Sequence, residues 1–284
     1  MSTGLTTAIL PVAGNGTRLL PVTKSVPKEL MPIYDRPLIQ VAVDEARASG
    51  VRRLVLVSHP SKTALEEYFE RDDELSRVLH ENGKTRLSRA LDDLDPTGEM
   101  ELVFVHQPEP LGLGHAILCA RDAVGPGPVG VILPDDVILA SEATLGQMAR
   151  AYDPGFARHM IATEKVPAEA VSSYGIAVCE EPAPGRQVLV EGLVEKPAVG
   201  EAPSRQGVIG RYILDASIFD ELERTEPGSG GEIQLTDAIA TEIGRGGVSA
   251  FRIEGERHDC GNPDGLLAAS LAFRDSPLRK PFAA

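Results

Sequence analysis

No run of the chain approaches the roughly 20 consecutive apolar residues that a membrane-spanning helix needs. The opening MSTGLTTAILPVAG has no basic stretch ahead of its apolar residues, so no signal peptide is expected. Cysteine is scarce, with only Cys119, Cys179 and Cys260 among 284 residues. Scattered and odd in number, these make neither a disulfide framework nor a paired-cysteine metal motif, and they suit a reducing cytoplasm. Positive charge is also short. The 28 Lys and Arg stand against 42 Asp and Glu, a net charge of −14. That balance argues against attraction to nucleic acid or to an anionic membrane. There is no internal repeat and no low-complexity linker. What remains is ordinary for a globular enzyme: 42% hydrophobic and 25% charged residues, in a length that suits one large or two smaller domains.

Short β-branched runs alternate with longer helical patterns. TTAILPV (6–12) and RLVLVS (53–58) flank LIQVAVDEARASG (38–50), whose spacing predicts an amphipathic helix ending at Gly50. A single helix is predicted across SKTALEEYFERDDELSRVL with Ser61 as its N-cap. ELVFVH (101–106) and VGVIL (129–133) flank a helix at about 113–123, and 81–100 reads as helix and loop. Continuous apolar strands in this β-α-β rhythm predict a Rossmann-like α/β fold, with a mixed, mainly parallel sheet and helices on both faces. Beyond about residue 155, HMIATEK, YGIAVCE, QVLVEGLVEK and GVIGRYIL read as strands that extend the sheet with an antiparallel portion. A single domain is expected. Residues 1–150 are expected to form its first half, 151–262 its second, and 263–284 a C-terminal helix and tail.

Ligands of open α/β sheets bind beyond the carboxyl ends of the strands, and four segments there carry unusual residues. The first strand runs into Ala13-Gly14-Asn15-Gly16-Thr17-Arg18, with Lys24 and Lys28 following. A dinucleotide fingerprint fails because Leu19 stands where its third glycine belongs, and no P-loop string is present. What remains is a glycine pair that lets backbone N–H groups approach phosphates, beside three cations within eleven residues. A plain solvated basic loop is the alternative, although Pro21 and Pro27 restrict it. The second segment, after strand 101–106, is Gln107 to Ala116. Gln107 can offer both a donor and an acceptor to the edge of a uracil or thymine, with Gly112 allowing close backbone approach; Gln107 could equally cap a turn. His106 and His115 are read as packing groups without a role.

Third, Val129–Leu133 delivers Pro134-Asp135-Asp136 at its end, and much later Arg257-His258-Asp259-Cys260-Gly261-Asn262 precedes a helix starting near Pro263. Carboxylates at a strand tip suit Mg²⁺, which takes one or two of them together with substrate phosphates; a turn or an N-cap would use an Asp pair as readily. Zinc does not fit the His-Asp-Cys run, since contiguous side chains diverge and no second ligand pair lies at helical spacing. Last, Tyr174-Gly175 opens a strand and Val194-Glu195-Lys196-Pro197 closes another. Glu195 can accept from vicinal hydroxyls while Lys196 pairs with a phosphate, or the two can form a surface ion pair.

The string G-x-G-T-R-x-L-P-x-T-K-x-x-P-K-E resembles the signature of the nucleotide-sugar pyrophosphorylases. In particular, the chain from about Thr6 to Phe273 is similar to the bacterial UTP–glucose-1-phosphate uridylyltransferases, with Q-P-E-P-L-G-L-G-H-A, L-P-D-D, V-E-K-P and H-D-C-G-N in family order. The resemblance implies conversion of UTP and α-D-glucose-1-phosphate to UDP-glucose and pyrophosphate with Mg²⁺, in a cytoplasmic homodimer or homotetramer. It implies that Gly14 and Gly16 wrap the phosphates and that Ala13, Gly14, Thr17 and Glu29 lie against the nucleotide. Arg18 would grip the β/γ-phosphates, and Lys28 would neutralise the reacting phosphate. Gln107 and Gly112 would read uracil, and Asp135 and Asp259 would share the metal, with Asp136 beside the nucleotide. Gly175, Glu195 and Lys196 would bind the sugar phosphate. Gly210-Arg211-Tyr212 and Gly231–Asp237 also match, without individual roles. A thymidylyltransferase and a non-catalytic nucleotide-sugar-binding regulator are the competing expectations.

Overall fold

The computed structural model describes residues 4–92, 94 and 98–278. Its core is a ten-stranded sheet. Thr7–Pro11 lies parallel between Arg53–Ser58 and Val129–Ile132, and Glu101–His106 forms the outer edge beside Arg53–Ser58. On the other side, Gln206–Leu214 runs antiparallel to both Val129–Ile132 and His159–Lys165. Val248–Arg252 and Gln187–Leu189 complete that flank, while Gly175–Val178 and Gly192–Glu195 branch from the start of the long strand. Seven of the ten strands share one direction; Gln187–Leu189, Gly192–Glu195 and Gln206–Leu214 oppose them. The mixed, mainly parallel sheet of the sequence analysis is therefore present.

Alternation along each strand divides the core into two layers. Ala8, Leu10, Leu54 and Leu56 face the helices Leu38–Ala48 and Thr144–Ala151 on one side. Ile9, Val55, Val57 and Val131 face Leu113–Cys119, Ser217–Arg224 and Leu235–Glu242 on the other. With both faces covered, the strands read as unbroken apolar runs in the sequence. Among the described residues no helix is long and apolar enough to cross a membrane.

Three expectations about elements need correction. The single helix from Ser61 is two, Thr63–Glu67 and Asp73–Glu81. Tyr68 and Phe69 turn toward the sheet, where Phe69 packs on Phe104, and the Asp72 carboxylate caps the second helix by accepting from Leu75 N. The Ser61 hydroxyl meets the His59 ring instead of capping a helix. QVLVEGLVEK is two strands, because the chain changes neighbours between Val190, whose N–H bonds Val248 O, and Glu191, whose N–H bonds Val178 O. The helix at about 113–123 breaks at Ala120 and resumes as Arg121–Val124.

Four short strands outside the main sheet were not foreseen, and of these Pro32–Ile33 pairs with Arg36–Pro37. Glu256–Asp259 pairs antiparallel with Asp136–Leu139, in a register that sets Asp259 opposite Asp136. Cys260 N then donates to Asp135 O at 2.7 Å. Of the charged stretch 81–100, Thr85–Asp92 is helical, and residues 93 and 95–97 lie outside the described residues. Of 263–284, Pro263–Asp275 is helical and the tail 279–284 lies outside them.

Candidate active site

Two cavities open side by side on the sheet. One, of about 420 Å³, is walled by Ala13–Thr17, Lys28, Gln107 and Gly112. The other, of about 270 Å³, is walled by Arg18, Asp136, Gly175, Glu195, Lys196 and Asp259. Asp135 belongs to both walls. Of the residues to which the resemblance gives a role, Glu29 alone lines neither cavity.

The glycine loop owes its shape to side chains beneath it. Gly16 has φ 63°, and a Cβ there would lie 3.0 Å from Lys28 Cβ and 3.1 Å from Thr23 Cγ2. Only glycine lets the basic segment pack this closely on the loop. Lys62 holds the loop from the far side, its ammonium donating to Val12 O at 2.6 Å and to Gly14 O at 2.7 Å. Its third partner is Glu29, at 2.9 Å. Glu29 is 1% exposed and anchors the lysine that clamps the loop. Burial pushes the Glu29 carboxyl up, against Lys62 and Lys28, and burial likewise pulls the Lys62 amine down. Lys62→Met would leave Glu29 buried alone and two loop carbonyls without a donor. We expect a loss of about 3 kcal/mol in urea unfolding and a fall of about 10- to 100-fold in kcat/KM for the nucleotide.

Between the cavities, Lys28 Nζ donates to Asp135 Oδ2 at 2.7 Å. Burial alone would pull the Lys28 amine down; Asp135 and Glu29 outweigh it and hold the amine above the usual lysine range. Burial would raise Asp135, and Lys28, helped by Arg18, instead holds its carboxyl below the usual carboxylate range. Both groups stay charged, which suits the cation to a phosphate and excludes it as a base.

Gln107 and Gly112 sit together in the wall of the first cavity. Gly112 has φ 98° and begins the helix Leu113–Cys119; a Cβ there would lie 2.7 Å from Glu232 Cβ and 2.9 Å from Ile233 O. Gln107 Nε2 donates to Gly112 O at 3.1 Å and lies 3.0 Å from His115 Nδ1. Gln107 thus spends at least one N–H on the protein, at Gly112 O. His115 also acquires a contact that the sequence analysis did not give it.

In the second cavity, Glu195 Oε2 accepts from Thr236 Oγ1 at 2.6 Å, and Oε1 lies 3.0 Å from Lys196 Nζ. Lys196 has φ 44°, a left-handed conformation that costs energy for a lysine and turns the chain at this wall. Asp136 walls this cavity too. Its Oδ1 pairs with the Arg257 guanidinium at 2.5 Å and its Oδ2 accepts from Gly210 N at 2.7 Å, so its oxygens are occupied by protein. Burial works against the Arg257 charge, but Asp136 outweighs it and holds the guanidinium's pKa above its usual range. Arg18 opens onto this cavity and packs over Gly261, beside Asp259.

Under the Leu133–Asp136 turn lies Arg211, 1% exposed. It donates to both oxygens of Glu45, at 2.8 and 2.7 Å, and to the carbonyls of Leu133, Gly210 and Asp136. Lys62, Thr236, Arg257 and Arg211 all escaped the sequence analysis as individual residues. A buried arginine inside the otherwise apolar strand GVIGRYIL was the one signal that could have exposed Arg211.

Asp135 and Asp259 wall the same cavity. Among the described residues no group of three or more His, Cys, Asp and Glu could hold a metal by itself. Two hard carboxylate donors facing a phosphate-sized space fit a cation that completes its shell with phosphate and water.

The sequence profile of the nucleotidyl transferase family matches residues 7–276. The UTP–glucose-1-phosphate uridylyltransferase of Escherichia coli K12 is 41% identical over 281 residues, covering 96% of this chain and 91% of that protein. A UTP-bound UDP-glucose pyrophosphorylase structure from Acinetobacter baumannii superposes with TM-score 0.88 at 40% identity, covering 96% of this chain and 95% of that one. A UDP-glucose pyrophosphorylase complexed with UDP-glucose superposes with TM-score 0.84 at 36% identity, over 95% and 98% of the two chains.

Proposed function

This chain belongs to the nucleotidyl transferase family, and we propose that its paired cavities join UTP to glucose-1-phosphate, releasing pyrophosphate. The observation that carries this is the meeting of the two cavities at the Lys28–Asp135 pair. A glycine loop and a base-sized pocket lie on one side, and the Glu195–Lys196 wall on the other. The cavity with Ala13, Gly14, Gly16, Thr17, Gln107 and Gly112 takes the nucleotide. Gly175, Glu195 and Lys196 take the sugar phosphate. Glu195 accepts from sugar hydroxyls, and Lys196 pairs with the phosphate charge.

In the reaction, a phosphate oxygen of glucose-1-phosphate attacks the α-phosphorus of UTP. The new P–O bond forms as the bond to the β-phosphate oxygen breaks, and pyrophosphate leaves with that electron pair. The attacking oxygen is already an anion at neutral pH, so no general base is required. The barrier lies in bringing two polyanions together, and catalysis is positioning plus preorganised positive charge. Lys28 sits at the junction of the cavities, where it neutralises the reacting α-phosphate. Arg18 and Lys196 bear on the groups around it, and Asp136, held by Arg257 and Gly210, keeps the turn carrying Asp135 in place. Asp135 and Asp259 would hold Mg²⁺, which supplies Lewis-acid neutralisation of the phosphate charge.

The continuous sheet supports a single domain whose halves, to about residue 150 and from 151 to about 262, divide the two substrates. Three free thiols support a cytoplasmic setting. Assembly as a homodimer or homotetramer is part of the same proposal, and light scattering reads it directly.

The test is pyrophosphate release with Mg²⁺, crossing UTP and dTTP with glucose- and galactose-1-phosphate. Fast turnover confined to UTP and glucose-1-phosphate is the expected result. Preference for dTTP would move the chain to thymidylyl transfer. Binding of UDP-glucose without turnover of any pair would make it a sensor of nucleotide sugars.

A further inference from the structure

We propose that His115 is a specificity-determining positioning residue: its Nδ1 lone pair fixes the Gln107 amide in the one orientation that accepts uracil and rejects cytosine. The proposal rests on the uridylyl-transfer reading above. Its geometry is independent of which amide atom is labelled oxygen. Gly112 O is an acceptor only, so the Gln107 atom 3.1 Å from it must be the NH₂ group. That same NH₂ group lies 3.0 Å from His115 Nδ1, which must therefore present a lone pair and not a proton. The imidazole is then neutral with its hydrogen on Nε2, where Cys119 Sγ, 3.8 Å away on the next helical turn, is a weak acceptor.

With both N–H groups of its amide engaged, Gln107 has only Oε1 to offer a ligand. Gln107 is nearly fully buried and walls the nucleotide cavity beside Gly112. An acceptor from Gln107 and a backbone N–H from Gly112 together complement the N3–H donor and adjacent carbonyl of uracil. Cytosine reverses both groups, placing a lone pair at N3 against Oε1 and an amino group against an N–H. Thymine has the same polar edge as uracil, so this device discriminates by hydrogen-bond pattern alone. Without the His115 lone pair, Gly112 O alone opposes rotation of the amide, and one of the two restraints on its orientation is lost.

Three variants and three nucleotides test this. His115→Phe keeps a ring and His115→Ala keeps the helix, and both lack the lone pair. His115→Asn places Oδ1 near the position of Nδ1 and restores an acceptor. For each, kcat/KM is measured with UTP, CTP and dTTP at saturating glucose-1-phosphate, with a thermal melt to verify folding. The ratio of UTP to CTP is expected to fall about 5- to 10-fold in the Phe and Ala variants, the worth of one neutral hydrogen bond. The loss should lie in KM for UTP, with kcat within about twofold and the UTP to dTTP ratio unchanged. His115→Asn should keep the wild-type ratio. If Phe and Ala both leave the UTP to CTP ratio as in the wild type, or if Asn fails as they do, His115 does not set the amide. If Phe does not fold, Ala decides. Failure of the wild type to use UTP at all would overturn the uridylyl-transfer reading instead, which separates the two claims.

Discussion

Lys28→Ala is expected to lower kcat for UDP-glucose formation by about 10²–10³-fold, the usual cost of removing one preorganised charge from a developing transition state. The ammonium sits at the junction of the two cavities and is held above the usual lysine range by Asp135 and Glu29. Water entering the space cannot replace it, since a mobile dipole must reorganise during the reaction. The variant should still fold, because Lys28 is partly exposed and truncation keeps its Cβ beside the glycine loop. A second signature follows from the pair. Asp135 is kept below the usual carboxylate range chiefly by Lys28. A depressed carboxyl contributes stability above its unfolded value and loses it as pH falls through the folded value. Removing Lys28 raises that folded value, so the acid limb of residual activity should move to higher pH. Steady-state pyrophosphate release across pH checks both, and a variant with normal turnover would remove Lys28 from the chemistry.

Arg211→Met should be the most damaging single change to the fold. Arg211 is 1% exposed and supplies five hydrogen bonds, two to Glu45, two to the Leu133 and Asp136 carbonyls of the turn that carries Asp135, and one to Gly210 O on its own strand. Its loss strands a buried carboxylate, a fault that costs about 3–5 kcal/mol. Adding Glu45→Gln removes that charge while keeping an acceptor for Leu145 N, which Glu45 Oε1 now serves. The double variant should therefore recover much of the stability in urea unfolding. It should not recover activity. The carbonyls of Leu133 and Asp136 still lack their donor, and a displaced Asp135 should hold kcat/KM about 10- to 100-fold below the wild type. A stable and fully active double variant would show that Arg211 serves the fold alone.

Much of the molecule could be read from local patterns. Apolar strands without alternation meant a sheet covered on both faces, because each successive side chain had to find a hydrophobic partner. The basic glycine loop, the Gln107–Gly112 pair, the strand-tip aspartates and the Glu195–Lys196 wall were visible because phosphate, base and sugar chemistry restrict which side chains can serve. Each of these segments stands at the end of a strand and needs only its own few residues to announce itself.

Tertiary structure decided what each of those residues faces. Glu29 and Asp136 are acidic residues within family motifs, yet folding directs Glu29 to Lys62 and Asp136 to Arg257, partners 33 and 121 positions away. Asp259 joins Asp135 only because Glu256–Asp259 finds Asp136–Leu139 as its strand partner. Periodicity reports which face of an element is apolar, but a buried charge is placed by whichever opposite charge can reach it once the chain is closed. The sequence therefore determined the sheet, its helices and the chemical kinds of group around the cleft, and the closed chain alone determined which of them are left free to meet a ligand.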